Sequence, residues 1–388
     1  MACKNFFSTR PITDEECLWG ENHRRIVDEL LRATLKGNIS VLLGPRRVGK
    51  TSVVNVVAGK FIRKRGHHYI YFNFSRFIGA RAISISDIEP KRTSMKLITT
   101  SKSYVLSFKG LSVEIRKTSI EEFTSDFSKL LRILSQNAKR GLLIFDEAQV
   151  LARLKNLDFR GLIQEITDSY PNISIIFTGS MPGILIRYLN SEASKPNFMR
   201  SAEVFTLPRW SVQEGVEFLK SGFRAYKIEV NDELELERAV KELGGIPGFI
   251  SYYGLTVVNL VKNGVAVKNA LLKALEESRS FALDEWKRDL EAFINVYSSP
   301  IYVEVLRVLA KAYPSALRGA EVYKELDKMN VAPRRMQHIY KYLDTLEKVG
   351  FIRSDGKRYW IEDPLLRIVV SNFEFHGIPW KTEYRRVP

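Results

Sequence analysis

The chain has 388 residues, 45% of them hydrophobic and 11% aromatic, which is enough for two or three cored domains and argues against bulk disorder. Its 60 Lys+Arg outnumber 44 Asp+Glu, giving a net charge of +16 and a pI near 9.6; this permits polyanion partners such as DNA or RNA, and equally a charge-rich solvated surface of the thermophile kind. Cys3 and Cys17 make no disulfide framework or zinc site and suggest a reducing compartment; with no apolar run near ~18 residues and no signal-peptide core at the N-terminus, the expectation is a soluble cytoplasmic protein with no membrane partner.

Along the chain, Ile26, Val27, Leu30, Leu31 and Leu35 recur at helical spacing. Ile39 to Leu43 is a short apolar run, the mark of a buried strand. A helix follows Lys50 through Val53, Val54, Val56 and Val57, and "HHYIYFNFS" (67–75) is a second strand. Residues 77–118 exceed what a compact α/β core needs and are read as an exposed insertion. Within them "KSYVLSFKGLSVEIRK" holds two alternating runs around Lys109-Gly110, a β-hairpin. A helix over about 119–138 leads to "GLLIFDEAQ" (141–149), "NISIIFTGS" (172–180) and "AEVFTL" (202–207), three further strands. Strands alternating with helices predict an α/β domain over 1–207, a parallel sheet with helices on both faces.

Beyond Pro208 the pattern changes. Ser211 reads as a helix N-cap with Glu214 three residues on, and only helical periods follow to about Val296, broken at "GGIPG" (244–248). This predicts a helical domain over 208–297. Residues 298–388 read as helix, helix, helix, hairpin, with the third helix starting near Pro333 and the hairpin turning at Asp355-Gly356, the pattern of a winged helix-turn-helix.

The sharpest motif is "GPRRVGKTS", Gly44 to Ser52, with the spacing G-x-x-x-x-G-K-[ST] between an apolar strand and a helix. Gly44, Pro45, Arg46, Arg47, Val48 and Gly49 form a loop whose backbone N–H groups can wrap a β-phosphate at a helix N-terminus. Lys50 neutralises β- and γ-oxygens, and the Thr51 hydroxyl can hold Mg²⁺. "LLIFDEAQ" sets Asp146 at the C-terminal end of a core strand, where open α/β sheets bind ligands. Asp146 can organise Mg²⁺, and Glu147 beside it can take a proton from an attacking water. In "IIFTGS", Thr178 or Ser180 ends another apolar strand and can sense a γ-phosphate or position water.

With "GPRRVGKTS", "LLIFDEAQ", "IIFTGS" and "GGIPGF" in that order, the chain resembles the archaeal P-loop ATPases related to AAA+ proteins and STAND NTPases, over roughly residues 18–255. The resemblance implies ATP with Mg²⁺, a parallel sheet of strand order 5-1-4-3-2, a helical lid and a C-terminal winged helix. Carried over by position, it makes Lys50 and Thr51 the phosphate and Mg²⁺ residues, Asp146 the Mg²⁺ support, Glu147 the catalytic glutamate and Pro247 the lid proline at the base. Arg187 and Arg200 lie where AAA+ relatives present an arginine to a neighbour's phosphate in a homo-oligomer. The chain departs from the pattern in "WGENHRRI", which stands where a Gly-Arg-Glu-like stretch is usual, and in having no obvious sensor-2 arginine after "GGIPGF".

In the C-terminal segment Met336, Ile339, Tyr340, Leu343 and Leu346 are read as one apolar helix face. Arg334, Arg335, Gln337, His338 and Lys341 lie mostly off it, near the helix start that reads bases, and Arg353, Lys357 and Arg358 of the wing suit phosphates. The sequence favours a slowly ATP-hydrolysing, Mg²⁺-dependent switch whose winged helix contacts DNA or protein; the alternatives are a DNA-acting AAA+ ATPase of the replication initiator or loader kind and a non-hydrolysing nucleotide-gated adaptor.

Overall fold

A computed structural model describes residues 3, 6–108, 110–190, 198 and 201–374. The chain divides into two compact units: one holds residues 10–208 with Cys3, the other residues 209 onward with residues 6–9.

The first unit begins with helix α1 (Glu21–Lys36), strand β1 (Ile39–Leu43), α2 (Lys50–Ile62) and β2 (His67–Asn73). Four short strands follow, β3 (Pro90–Thr93), β4 (Lys96–Thr99), β5 (Ser103–Phe108) and β6 (Leu111–Arg116). Then come α3 (Ile120–Asn137), β7 (Arg140–Asp146), α4 (Arg160–Ser169), β8 (Ile173–Gly179), α5 (Pro182–Leu189) and β9 (Glu203–Thr206). The central sheet runs β3-β2-β7-β8-β1-β9 and is parallel except for β3. Leaving out β3, this is the expected order 5-1-4-3-2.

Every residue of β1 and β8 is buried, which is why both are apolar runs rather than alternating patterns. On one face Leu42, Tyr71, Ile144 and Ile176 join a core with Ile26, Val27 and Leu30 of α1 and Val53, Val54 and Val57 of α2. On the other, Phe72, Phe145 and Phe177 stack across three strands, with centroids 5.0 and 5.4 Å apart, and meet Phe127 of α3 and Phe159. Ser119 caps α3, accepting from Glu122 N at 3.2 Å.

Residues 77–118 are more embedded than an exposed insertion would be. β3 pairs antiparallel with β2 and extends the central sheet, while β4, β5 and β6 form a second, three-stranded sheet around the expected hairpin. Tyr104, Leu106, Phe108, Val113 and Ile115 are buried, and Arg116 forks onto Asp126 of α3 at 2.8 and 3.2 Å. The alternation that identified the hairpin is itself the signature of a face that packs on something. The cysteines also differ from expectation: Cys3 and Cys17 are joined in a disulfide, Cα atoms 5.3 Å apart, because a short 3₁₀ turn over Glu15–Cys17 presents the second to the first. Spacing alone does not reveal such proximity.

The second unit holds α6 (Val212–Ala225), α7 (Glu233–Glu242), α8 (Pro247–Lys262), α9 (Val267–Tyr297) and α10 (Ile301–Ala312). They are followed by β10 (Leu317–Arg318), α11 (Gly319–Lys328), α12 (Gln337–Val349), β11 (Arg353–Ser354), β12 (Arg358–Trp360) and α13 (Pro364–Asn372). Ser211 and Glu214 close the capping box that starts α6. β10 joins β11 and β12 in a small antiparallel sheet; neither this two-residue strand nor α13 is legible as a pattern in the sequence. α12 starts at Gln337 rather than near Pro333, so Met336 precedes the helix and is 46% exposed. Tyr340, 44% exposed, lies over Gly319, where a Cβ would stand 2.5 Å from its ring. The inward face of α12 is therefore Ile339, Leu343, Leu346 and Val349. Among the described residues no helix is long and apolar enough to cross a membrane.

Candidate nucleotide site

The site is built where β1, β7 and β8 end on the same edge of the sheet and α2 begins. β1 stops at Leu43, residues 44–49 form the loop, and Lys50 opens α2. Gly44 and Gly49 have φ of 153° and 104°; a Cβ on Gly44 would meet the Leu207 carbonyl oxygen at 2.7 Å, so the loop needs glycine there. Lys50 is buried, and its Nζ donates to the carbonyls of Gly44 at 2.9 Å and Pro45 at 2.8 Å. Burial lowers its pKa, against the opposing pull of Glu147 and Asp146. Arg46 is half-buried and Arg47 exposed with φ 61°, while Val48 is fully buried. The Ser52 Oγ accepts from Ile12 N at 3.0 Å.

Asp146 is fully buried and heavily bonded. Oδ2 accepts from the Thr51 hydroxyl at 2.8 Å, the Tyr71 hydroxyl at 2.6 Å and the Asn73 amide at 3.0 Å; Oδ1 accepts from the Thr178 hydroxyl. The parallel register explains the convergence, because Asn73 lies opposite Asp146, and Tyr71, two residues earlier, shares its face. Burial and the neighbouring Glu147 raise the Asp146 pKa despite these donors.

Glu147 follows in left-handed backbone, φ 59°, which costs energy in a non-glycine residue. It accepts from the Ser180 hydroxyl at 2.6 Å, Ser180 N at 3.1 Å and Gln149 Nε2 at 2.7 Å, and its own N–H donates to Thr178 Oγ1 at 3.1 Å. Lys50 Nζ lies 3.9 Å from Oε1. Burial alone would raise its pKa, but Lys50 and the Ser180 and Gln149 bonds bring it down. The two adjacent acids are thus driven in opposite directions.

The structure brings together Lys50, Thr51, Asp146, Glu147, Thr178 and Ser180. Reading the sequence missed Tyr71, Asn73 and Gln149; the period-two spacing of Tyr71 and Asn73 on a strand beside the acidic one was the available signal. Arg187 is exposed near the end of α5, and Arg200 lies outside the described residues. In the second unit, Gly244 and Gly245 adopt φ 65° and 67°, and Pro247 is the buried first residue of α8. Arg334, Arg335, His338, Lys341, Lys357 and Arg358 are all exposed.

The model of an ATPase domain predominantly from Archaea matches residues 25–252, which include the loop, both acids and Ser180. The chain belongs to this family. The ATPase is similar in structure to the Walker-type ATPase PABY2304 of Pyrococcus abyssi, with TM-score 0.71 and 27% identity over 94% of this chain and 99% of that one. It also shares its fold with the ORC2 protein of Aeropyrum pernix, with TM-score 0.60 and 15% identity over 95% and 97% of the two chains. No curated protein sequence matches it. In this ATPase the Thr51 hydroxyl and Asp146 carboxylate are hard oxygen donors that fit a hard cation better than a soft one. Among the described residues no group of three or more His, Cys, Asp or Glu forms a separate metal cluster.

Proposed function

We propose that the ATPase is a Mg²⁺-dependent switch whose nucleotide state governs a DNA-contacting C-terminal module. In this reading residues 44–52 bind the phosphates, Lys50 neutralises them, and Thr51 with Asp146 holds Mg²⁺, which supplies further neutralisation of the β- and γ-oxygens. Glu147 takes the proton of the attacking water, and Thr178 and Ser180 fix the two acids. The observation that supports these roles is the opposed wiring of the acids. Glu147, facing Lys50 and three donors, stays ionised and able to act as a base, whereas Asp146 is committed to hydroxyls on two strands and a helix.

We further assign residues 1–207 as the ATPase domain, 208–297 as a lid bringing Pro247 to the base, and 298–388 as a winged helix. Arg187 or Arg200 serves a neighbouring copy in a nucleotide-dependent oligomer. Duplex DNA is the favoured partner because Arg334, Arg335, His338, Lys341, Lys357 and Arg358 are exposed and none enters a salt bridge among the described residues.

The test is ATP turnover of wild type and Glu147→Gln with Mg²⁺, with and without duplex DNA. The variant is expected to bind ATP and turn over at least about 100-fold more slowly. Equal turnover removes Glu147 from the mechanism. DNA affinity that ignores salt, or survives charge reversal of Arg334, Arg335 and Lys341, removes the DNA reading and leaves a protein partner.

A further inference from the structure

We infer that His23 is a positioning residue for the phosphate loop, one that fixes which way its backbone N–H groups point. This rests on the loop's role as the nucleotide site. His23 lies in the first turn of α1, is 2% exposed, and brings Nε2 to 2.7 Å from the carbonyl oxygen of Val48. A carbonyl can only accept, so Nε2 carries the hydrogen and donates.

The consequence follows from peptide geometry. In a trans peptide the carbonyl and the next residue's N–H point in opposite directions. Holding the Val48 carbonyl back toward α1 therefore aims the Gly49 N–H forward, into the concave side of the loop where an anion binds at the N-terminus of α2. The imidazole also fixes the identity of the neighbouring residue: a Cβ on Gly49 would lie 3.2 Å from His23 Nε2 and 3.3 Å from Cδ2. Gly49 at φ 104° and the buried ring thus fit one another, and the peptide between Val48 and Gly49 is clamped before any nucleotide arrives. The clamp comes from the stretch "WGENHRRI", whose departure from the usual pattern left it without an assigned role.

Because the aimed group is a backbone donor, its contribution falls on the phosphates and not on the base or ribose. Titrating the full chain with a fluorescent ADP analogue tests this, with ATP and adenosine as competitors. His23→Ala is expected to weaken ADP and ATP by the same factor, about tenfold, the size of one hydrogen bond to a charged group, and to leave adenosine competition unchanged. His23→Gln, whose terminal amide reaches about as far as Nε2, is expected to restore most of the affinity, and His23→Asn, one methylene shorter, to behave like alanine. If the alanine variant fails to fold, the Gln and Asn pair carries the comparison. ADP affinity unchanged in the alanine or Asn variant, equal affinity in Gln and Asn, or an equal loss for adenosine overturns the assignment. Lys50→Ala separates the two layers: wild-type ADP affinity in that variant would undo the phosphate-loop reading itself.

Discussion

The charges at the ends of β7 and α2 and the charges on and just before α12 and in the β11–β12 turn follow opposite rules. Lys50, Asp146 and Glu147 are buried, and each is held by two or more partners. Arg334, Arg335, Lys341 and Lys357 are exposed. A buried ion is costly unless every lone pair or proton is met, so the first group sits in a rigid network in which one loss exposes the others. An exposed cation is already solvated; it adds little to folding and acts through the long-range field. The same residue types are structural and chemical in one region and electrostatic in the other.

The comparison breaks most readily at Asp146. Asp146→Ala leaves the hydroxyls of Thr51, Tyr71 and Thr178 and the amide of Asn73 without their acceptor. It is expected to cost about 3 kcal/mol in urea unfolding, reduced by the charge burial it relieves. An unchanged midpoint would mean the network is not what holds these strand ends.

A smaller effect is expected at Asp126, buried like the first group but paired with the half-exposed Arg116. The Arg116 guanidinium holds its pKa down to about 2, from an ordinary 3.8, despite some cost of burial. A folded pKa below the unfolded one means the ionised form stabilises the fold above pH ~4, and that contribution is lost as pH falls toward ~2. Asp126→Asn should therefore flatten the acid side of the stability–pH curve; if the variant and wild type fall in parallel, the Arg116 pair contributes nothing there.

The smallest effect on folding is expected from reversing Arg334, Arg335 and Lys341 to Glu. The unfolding midpoint should stay in place, while the salt dependence of duplex binding becomes shallower by roughly one unit per lost phosphate contact. A large fall in stability would show that these cations are structural after all.

The nucleotide site was legible because its parts are local. Gly44, Gly49, Lys50 and Thr51 lie in one short stretch where a loop runs into a helix, and a five-residue apolar strand before it announces the setting. Asp146 was legible because it ends an apolar core strand at the edge where open α/β sheets bind ligands, and an acid buried there needs something to compensate its charge. What compensates it was not legible. Tyr71 and Asn73 come from a strand about 70 residues away, and their role depends on β2 lying beside β7 in register. Likewise, β3 joined the central sheet through a pairing that its sequence, "PKRT", does not advertise. Met336 falls outside the inward face because α12 begins only at Gln337, and Tyr340 sits at the edge of that face, half-exposed over Gly319.

By itself, then, the sequence determined the longer helices, the apolar strands and the phosphate loop, because periodicity and glycine conformation act over a few residues, while the strand order came from the family resemblance. Only the tertiary structure decided the partners of Asp146 and Glu147, the pairing of Cys3 with Cys17, and the contact of His23 with the Val48 carbonyl. These are distances between residues far apart in the chain, set by sheet register and helix packing, and no local pattern encodes them.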